Sequence, residues 1–185
     1  GGIQEEISQG GARIASTLGL DNLIMFYDSN DIQLSTETKE VMNEDTAAKY
    51  RALGWEVIEI CGNDVDQIRQ ALDAAKKVEG KPTLIIGKCI MGKGALKADG
   101  TSYEANCKTH GAPLGGDAYV NTIKHLGGDP ENPFVIFDDV KEMYASRAKE
   151  LEAICAERYA EEKAWADANP EKAVALADWF SGKAP

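Results

Sequence analysis

Long apolar runs are missing from this chain. The most extended, such as Leu23 to Tyr27, hold about five residues where a spanning helix needs roughly 20. The amino terminus also lacks the charged and apolar regions of a signal peptide, so a cytoplasmic protein is expected. Basic charge is scarce as well: 20 Lys and Arg stand against 31 Asp and Glu, a net charge of -11. Nucleic acid and anionic membrane both require a basic face, and neither is expected as a partner. A phosphorylated ligand would have to be met by local donors or by a cation. The four cysteines, Cys61, Cys89, Cys107 and Cys155, make no CxxC pair, so the spacing implies neither a zinc site nor a disulfide framework. Cys107 lies in a polar loop and is the thiol to test for reactivity. No internal repeat or low-complexity tract is present. What remains is a chain of 185 residues with 43% hydrophobic content, enough for one packed domain with or without an appendage.

Apolar periodicity then divides the chain. Ile3, Ile7, Ile14 and Leu18 fall at helical spacing, with Gly10, Gly11, Ala12 and Ala15 between them and Gly19 as a stop, which predicts a helix over 3–18. Its small residues would let another backbone approach. Leu23 to Tyr27 reads as a short strand buried on both faces, Thr46 to Leu53 as a helix, and Trp55 to Cys61 as a second strand. Val65, Ile68, Leu72 and Ala75 mark a helix near 64–78, and Thr83 to Gly87 a third strand after the breaker GKP. Alternating strands and helices imply right-handed crossovers and an α/β fold with a mainly parallel sheet flanked by helices. Residues 88–136 read as mostly loop with one helix near 117–126, and so long an irregular segment is functional or disordered. Val140, Tyr144, Ala148, Leu151, Cys155, Tyr159, Glu162 and Trp165 trace one face of a long amphipathic helix, a carboxy-terminal helical extension that Asn169-Pro170 breaks. A short helix follows to Phe180, and SGKAP reads as the start of a linker.

All strands of a parallel sheet end on one edge, and ligands of such folds bind in the crevice there. The strand at 23–27 delivers DSND, the strand at 55–61 delivers GND, and the strand at 83–87 delivers MGKG and eventually His110. Gly1-Gly2 precedes the first helix, whose free N–H groups and dipole favour phosphate. Each feature alone has an ordinary reading. Asp, Ser and Asn make turns by bonding side chain to backbone, GKG serves as a flexible loop, and a surface histidine is commonplace. Convergence on one edge is what raises the functional reading.

The ordered set GGIQEEIS, LIMFYDSNDIQL, YRALGWEVIEICGND, KPTLIIGKCIMGKG and THGAPLGG resembles transketolase, in the domain that grips the diphosphate of thiamine diphosphate. The resemblance covers essentially the whole chain. The family's cofactor signature begins Gly-Asp-Gly and closes on an Asn after the next strand; Gly1 matches its last Gly and Asn30 its Asn, while the Asp would lie one residue before Gly1. The chain is therefore expected to be a fragment. Residues 1–136 would be a partial thiamine diphosphate-binding domain without its first strands, and 137–185 a helical extension leading into a linker.

By resemblance, Asn30 lends its side-chain oxygen and Ile32 its backbone carbonyl to Mg2+ or Ca2+, hard cations that take oxygen donors. Asp28, Ser29 and Asp31 are then turn formers. The resemblance further implies that Gly1, Met91, Gly92 and His110 contact the cofactor, that His110 also meets the substrate, and that Glu5 joins an acidic network between the two active sites of a homodimer formed through the helix at 3–18. His110 and Glu5 are thus the candidate catalytic residues. Several positions depart from the family pattern. Gly10 replaces a second acidic residue, Lys93 stands where an aromatic is frequent, the segment between Gly94 and His110 is longer, and an additional histidine usual before HGAPLG is absent.

The implied reaction moves a two-carbon glycolaldehyde unit from a ketose phosphate to an aldose phosphate, with thiamine diphosphate as electron sink. The glutamate that activates the cofactor belongs in that family to the neighbouring domain of the partner subunit. The remaining transketolase domains are therefore expected partners, and these residues alone are expected to be inactive. The alternatives are another thiamine diphosphate enzyme, such as a dihydroxyacetone synthase or a 2-oxo acid dehydrogenase subunit, and a non-catalytic α/β binding module.

Overall fold

Thr83, Leu84 and Ile85 have no solvent exposure, and β-branched and apolar residues in that density form the central strand of the sheet. In the computed structural model, which describes residues 1–182, three strands are resolved: β1 (Ile24–Ser29), β2 (Glu56–Cys61) and β3 (Thr83–Lys88). Their order is β1-β3-β2, and both pairings are parallel. Register sets Ile24 and Glu56 beside Thr83, and Ser29 and Cys61 beside Lys88, so all three strands end level. One expectation is corrected here. The strand after Leu23 is not buried on both faces, because it occupies an edge of this sheet; Phe26 is 42% exposed, and the strand continues through Asp28 and Ser29.

Side chains along β3 alternate between two faces, and each face is covered by different helices. Leu84 and Val57 join a cluster with Ala12 and Ala15 of α1 (Glu6–Thr17) and Ala47 and Tyr50 of α2 (Thr46–Ala52). On the other face Ile85 packs with Ala71 and Ala75 of α3 (Val65–Ala75). Trp55 ties the first cluster together: its Nε1 donates to the Ala12 carbonyl at 2.9 Å, and its ring meets Tyr50 edge-on with centroids 5.3 Å apart. Helix starts follow the sequence signals. Asp45 caps α2 by accepting from the Ala48 amide at 2.9 Å, and Asp64 caps α3 by accepting from Asp66 and Gln67.

The first helix differs from its expected form. A 3-10 turn, Gly2–Gln4, precedes it, and Glu5 is the extended residue before α1 rather than a helical one. Its small residues Ala12 and Ala15 face the sheet, whereas Ile7, Ile14 and Leu18 are 83%, 61% and 66% exposed.

Within 88–136 the chain is more regular than glycine, asparagine and proline content suggested. A short hairpin closes with the Leu96–Ser102 bridge, α4 (Lys108–Gly111) supplies one turn around His110, and α5 covers Gly116–His125.

Contacts divide the chain into Gly1–Pro133 and Phe134–Pro185. The second unit contains α6 (Asp138–Ala168) and α7 (Pro170–Phe180), separated at Asn169, whose Nδ2 donates to the Trp165 carbonyl at 3.0 Å. Pro170 opens α7, where its missing N–H costs nothing. The apolar face expected along α6 is not a burial face, since none of its residues is buried. Ala145, Ala153, Ala156, Ala160 and Ala164 fall on the opposite side, so the two sides differ little in polarity. Exposed pairs such as Lys163–Asp167 at 2.6 Å add only a few tenths of a kcal/mol each, by the usual worth of about 0.3–0.5 kcal/mol for such helix pairs. Of the expected linker SGKAP, residues 183–185 lie outside the described residues.

Candidate functional site

Three parallel strands ending level leave their carboxyl-terminal residues on one rim, and a cleft of about 740 Å³ opens there. Asn30, Asp31 and Ile32 line it from beyond β1, Cys61 and Asn63 from β2, and Lys88 and Cys89 from β3. Lys93 and Ala105 contribute from the following loops. The turn after β1 is built by Asn30: its Oδ1 accepts from the Ile32 amide at 3.0 Å, and its Nδ2 donates to Asp28 Oδ1 at 3.1 Å. These two bonds fix which way the amide faces. Asp31 takes a left-handed φ of 64°, which Asp tolerates better than most residues, and its carboxylate pairs with Lys88 Nζ. Ile32 is only 8% exposed and anchors the turn, which the Ile32–Glu37 bridge then closes.

The donor chemistry of this turn fits a hard cation. Asn30 presents a neutral oxygen with a second lone pair free after the Ile32 bond, and the Ile32 carbonyl accepts no hydrogen bond among the described residues. Two oxygens without charge suit an ion whose remaining ligands are anionic. No cluster of three or more His, Cys, Asp or Glu side chains suited to a metal occurs among the described residues, so acidic-cluster reasoning alone would pass over this turn.

Two cysteines that sequence reasoning set aside, Cys61 and Cys89, sit in the cleft wall, while Cys107 precedes α4. Burial first, and then the neighbouring Asp28 carboxylate, push the Cys89 thiol up from its ordinary 9.0 to about 11. A raised thiol stays neutral. Its contribution to stability is therefore full below the ordinary value and is lost as pH rises through the folded-state value. A shift of this size leaves about a hundredfold less thiolate than an ordinary cysteine has, so Cys89 is expected to resist iodoacetamide at pH 8 while the exposed Cys61 and Cys155 are labelled. Site-resolved mass spectrometry over time checks this, and labelling of Cys89 as fast as Cys155 would contradict it.

The structure distributes the remaining sequence-predicted residues around this rim. Met91 and Gly92 lie in the turn after β3, beside the cleft rather than in its lining. Gly92 has φ +61°, and a Cβ there would stand 2.9 Å from Thr109 Oγ1, so this glycine is needed for the close approach of the α4 segment. His110 is exposed on α4, its amide donating to the Cys107 carbonyl at 3.1 Å. Gly111 brings that segment against Leu34 of the Asn30 loop, where a Cβ would meet Leu34 Cδ1 at 2.9 Å. Gly1 is exposed, and Glu5 is exposed without a capping bond. Gly2 lines a separate pocket of about 290 Å³ with Asp28 and Tyr50. Sequence reasoning missed Lys88, Cys61 and Cys89 as lining residues. Their signal was position, since each ends or directly follows a strand on the edge already identified.

The family described as "Transketolase, thiamine diphosphate binding domain" matches residues 1–185. A transketolase of Staphylococcus epidermidis is 37% identical over 190 residues, covering 100% of this chain and 27% of that protein. A transketolase of Mycobacterium leprae is 36% identical over 181 residues, covering 95% of this chain and 25% of that protein. Among solved structures, a Pichia stipitis transketolase in complex with sedoheptulose-7-phosphate superposes with a TM-score of 0.87 at 30% identity, covering 98% of this chain and 26% of that one. Transketolase from Leishmania mexicana gives the same TM-score of 0.87 at 30% identity. The chain spans about a quarter of the length of these relatives. The family match spans the whole chain, so the assignment is plain: the chain belongs to the thiamine diphosphate binding domain family of the transketolases.

Proposed function

We propose that this chain is the diphosphate-gripping part of a transketolase, and that the larger protein transfers a glycolaldehyde unit from a ketose phosphate to an aldose phosphate. The observation that supports the reading is the Asn30–Ile32 turn, which lines the cleft at the end of the strands and whose Ile32 carbonyl accepts no hydrogen bond among the described residues. Asn30 Oδ1 and the Ile32 carbonyl would hold Mg2+ or Ca2+ against a diphosphate, and Lys88 would balance its charge from across the turn. Gly1, Met91, Gly92 and His110 would line the cofactor, with His110 also meeting substrate. When bound, thiamine diphosphate supplies an electron sink for breaking and forming the carbon–carbon bond. The protein's own part is positioning: the turn orients the diphosphate, and the loops around His110 narrow the approach to it.

A homodimer through α1 is supported by the outward Ile7, Ile14 and Leu18, an apolar stripe too regular for an isolated helix face, with Glu5 at its start reaching toward the second active site. We place the protein in the cytoplasm, with the rest of the transketolase chain as its other partner, and read 1–136 as the partial cofactor domain and 137–185 as the extension toward it. No helix of the described residues is long and apolar enough to cross a membrane.

The test compares this chain with the longer protein that contains it. Calorimetric titration with thiamine diphosphate and Mg2+, a ketose phosphate turnover assay, and sedimentation are run on both. Cofactor binding, turnover and a dimeric mass for the longer protein, with no turnover by the 185 residues alone, is the expected result. A longer protein that binds no thiamine diphosphate in the presence of Mg2+ would sink the reading.

A further inference from the structure

The segment between Gly94 and His110 is not a slack loop. Its first half is a hairpin in which the Lys97 amide donates to the Thr101 carbonyl at 2.8 Å and the Tyr103 amide to the Ala95 carbonyl at 2.8 Å. That hairpin is pinned to α5. Thr122, 7% exposed, accepts from the Leu96 amide at 2.9 Å, and Asn121 Nδ2 donates to the Lys97 and Ala98 carbonyls at 3.2 and 3.1 Å.

The hairpin's far end grips the Met91–Gly94 turn at both sides. Glu104 Oε1 accepts from the Gly94 amide at 2.7 Å, and the Ala105 amide donates to the Met91 carbonyl at 2.8 Å. Ala105 makes its bond at φ 50°, a left-handed conformation rare for alanine and kept only where surrounding bonds hold it. Gly94 is buried, so without Glu104 its amide would be a donor with no acceptor. Thr109, at the other end of the segment, abuts Gly92.

We propose that residues 95–109 brace the Met91–Gly94 turn and that Glu104 is its positioning residue, holding the Gly94 amide so that Met91 and Gly92 are presented to the cofactor in one conformation. This rests on the reading of Met91 and Gly92 as cofactor contacts. A carboxylate accepting the backbone N–H of a buried glycine at 2.7 Å is a strong, charge-assisted bond, and it couples residues 95–109 to the Met91–Gly94 turn.

The experiment uses the longer protein with Glu104→Ala, Glu104→Gln and Asp99→Ala. Asp99 serves as a control because its carboxylate bonds Thr101 at the hairpin tip and, among the described residues, bonds neither Gly94 nor Met91. Hydrogen exchange across residues 91–95 is read without ligand, and thiamine diphosphate with Mg2+ is then titrated and kcat measured at saturating cofactor. Glu104→Ala is expected to speed exchange and to weaken cofactor binding by roughly tenfold, with kcat at saturation within about twofold of the parent. Glu104→Gln keeps an acceptor oxygen and restores both within about threefold, and Asp99→Ala matches the parent in both. Unchanged exchange in Glu104→Ala overturns the brace. Faster exchange with unchanged affinity overturns the positioning role, as does a Gln variant as weak as Ala. A parent protein that binds no thiamine diphosphate overturns the proposed function and this role with it, while the exchange measurement still decides whether the brace exists.

Discussion

Asn30→Ala in the longer protein is expected to weaken Mg2+-dependent binding of thiamine diphosphate at least about a hundredfold, since even outer partners of metal ligands cost roughly 10–100-fold when removed. Three effects combine. On the proposed reading the ion would lose a donor oxygen, while the Ile32 amide loses its acceptor at 3.0 Å and Asp28 loses the N–H at 3.1 Å that tethers the turn to the end of β1. With the Ile32 amide unpaired the turn relaxes, so the second donor, the Ile32 carbonyl, is misplaced as well. Asn30→Asp separates these contributions. It keeps an acceptor for Ile32 but adds negative charge where a diphosphate would already crowd it, and a loss of roughly tenfold is expected from that repulsion. Titration at fixed Mg2+ reads both variants. An alanine variant that binds like the parent would remove Asn30 from the metal site and leave it a plain turn former.

Gly62→Ala is expected to cost about 3 kcal/mol, the upper part of the range for forcing atoms into a packed site. The added Cβ would lie 2.3 Å from Cys89 Sγ and 2.8 and 2.9 Å from the carbonyl carbon and Cα of Gly87. A side chain can rotate away, but the Gly87 backbone belongs to the central strand and is held by its register with Asp28 and Ile60. The end of β2 must then lift from β3, breaking the bond from the Gly62 amide to the Lys88 carbonyl at 2.9 Å. Removing the sulfur tests the attribution: Cys89→Ala combined with Gly62→Ala should recover little, because the backbone contact remains. Gly87→Ala is expected to be milder, since its nearest neighbour is the ring edge of Phe26, on a side chain 42% exposed and able to turn. Urea midpoints at unchanged slope measure all three. A Gly62→Ala protein as stable as the parent would mean the strand ends are looser than their spacing indicates.

The elements were legible because their signals are local. Asp45 and Asp64 cap helices where short polar side chains meet helical periodicity, and the runs at 55–61 and 83–87 became strands within a residue or so. What periodicity could not show was which strand lies in the middle. Leu23–Tyr27 is the more apolar of the two runs, yet its Phe26 is exposed while Ile85 of Thr83–Gly87 is not, because burial depends on neighbours far away in the chain. The hairpin at 95–103 escaped notice for a related reason: Asp99, Gly100 and Thr101 look like any loop until Thr122 and Asn121, more than twenty residues later, supply its anchors. At the candidate site, Asn30 and Ile32 were singled out as expected metal ligands by the family resemblance alone, and the structure adds how their turn is tied. Lys88 and Cys89 were not, since nothing in their identity distinguishes them; only their place at the end of the central strand does.

That central strand also orders events in time. Among the described residues β1 and β2 do not pair with each other, and each pairs only with β3. As the chain emerges during synthesis, neither of these pairings can form until residues 83–88 are free, some sixty residues after β1. Until then β1 and β2 remain unpaired with any described strand, their edges open to chaperones or to neighbouring chains. When β3 arrives it closes both pairings and brings Asn30, Asn63 and Lys88 to one rim in the same step. The cleft is therefore not built gradually: closing the sheet and assembling the rim are one event, and a chain interrupted before β3 lacks the rim on which Asn30, Asn63 and Lys88 meet.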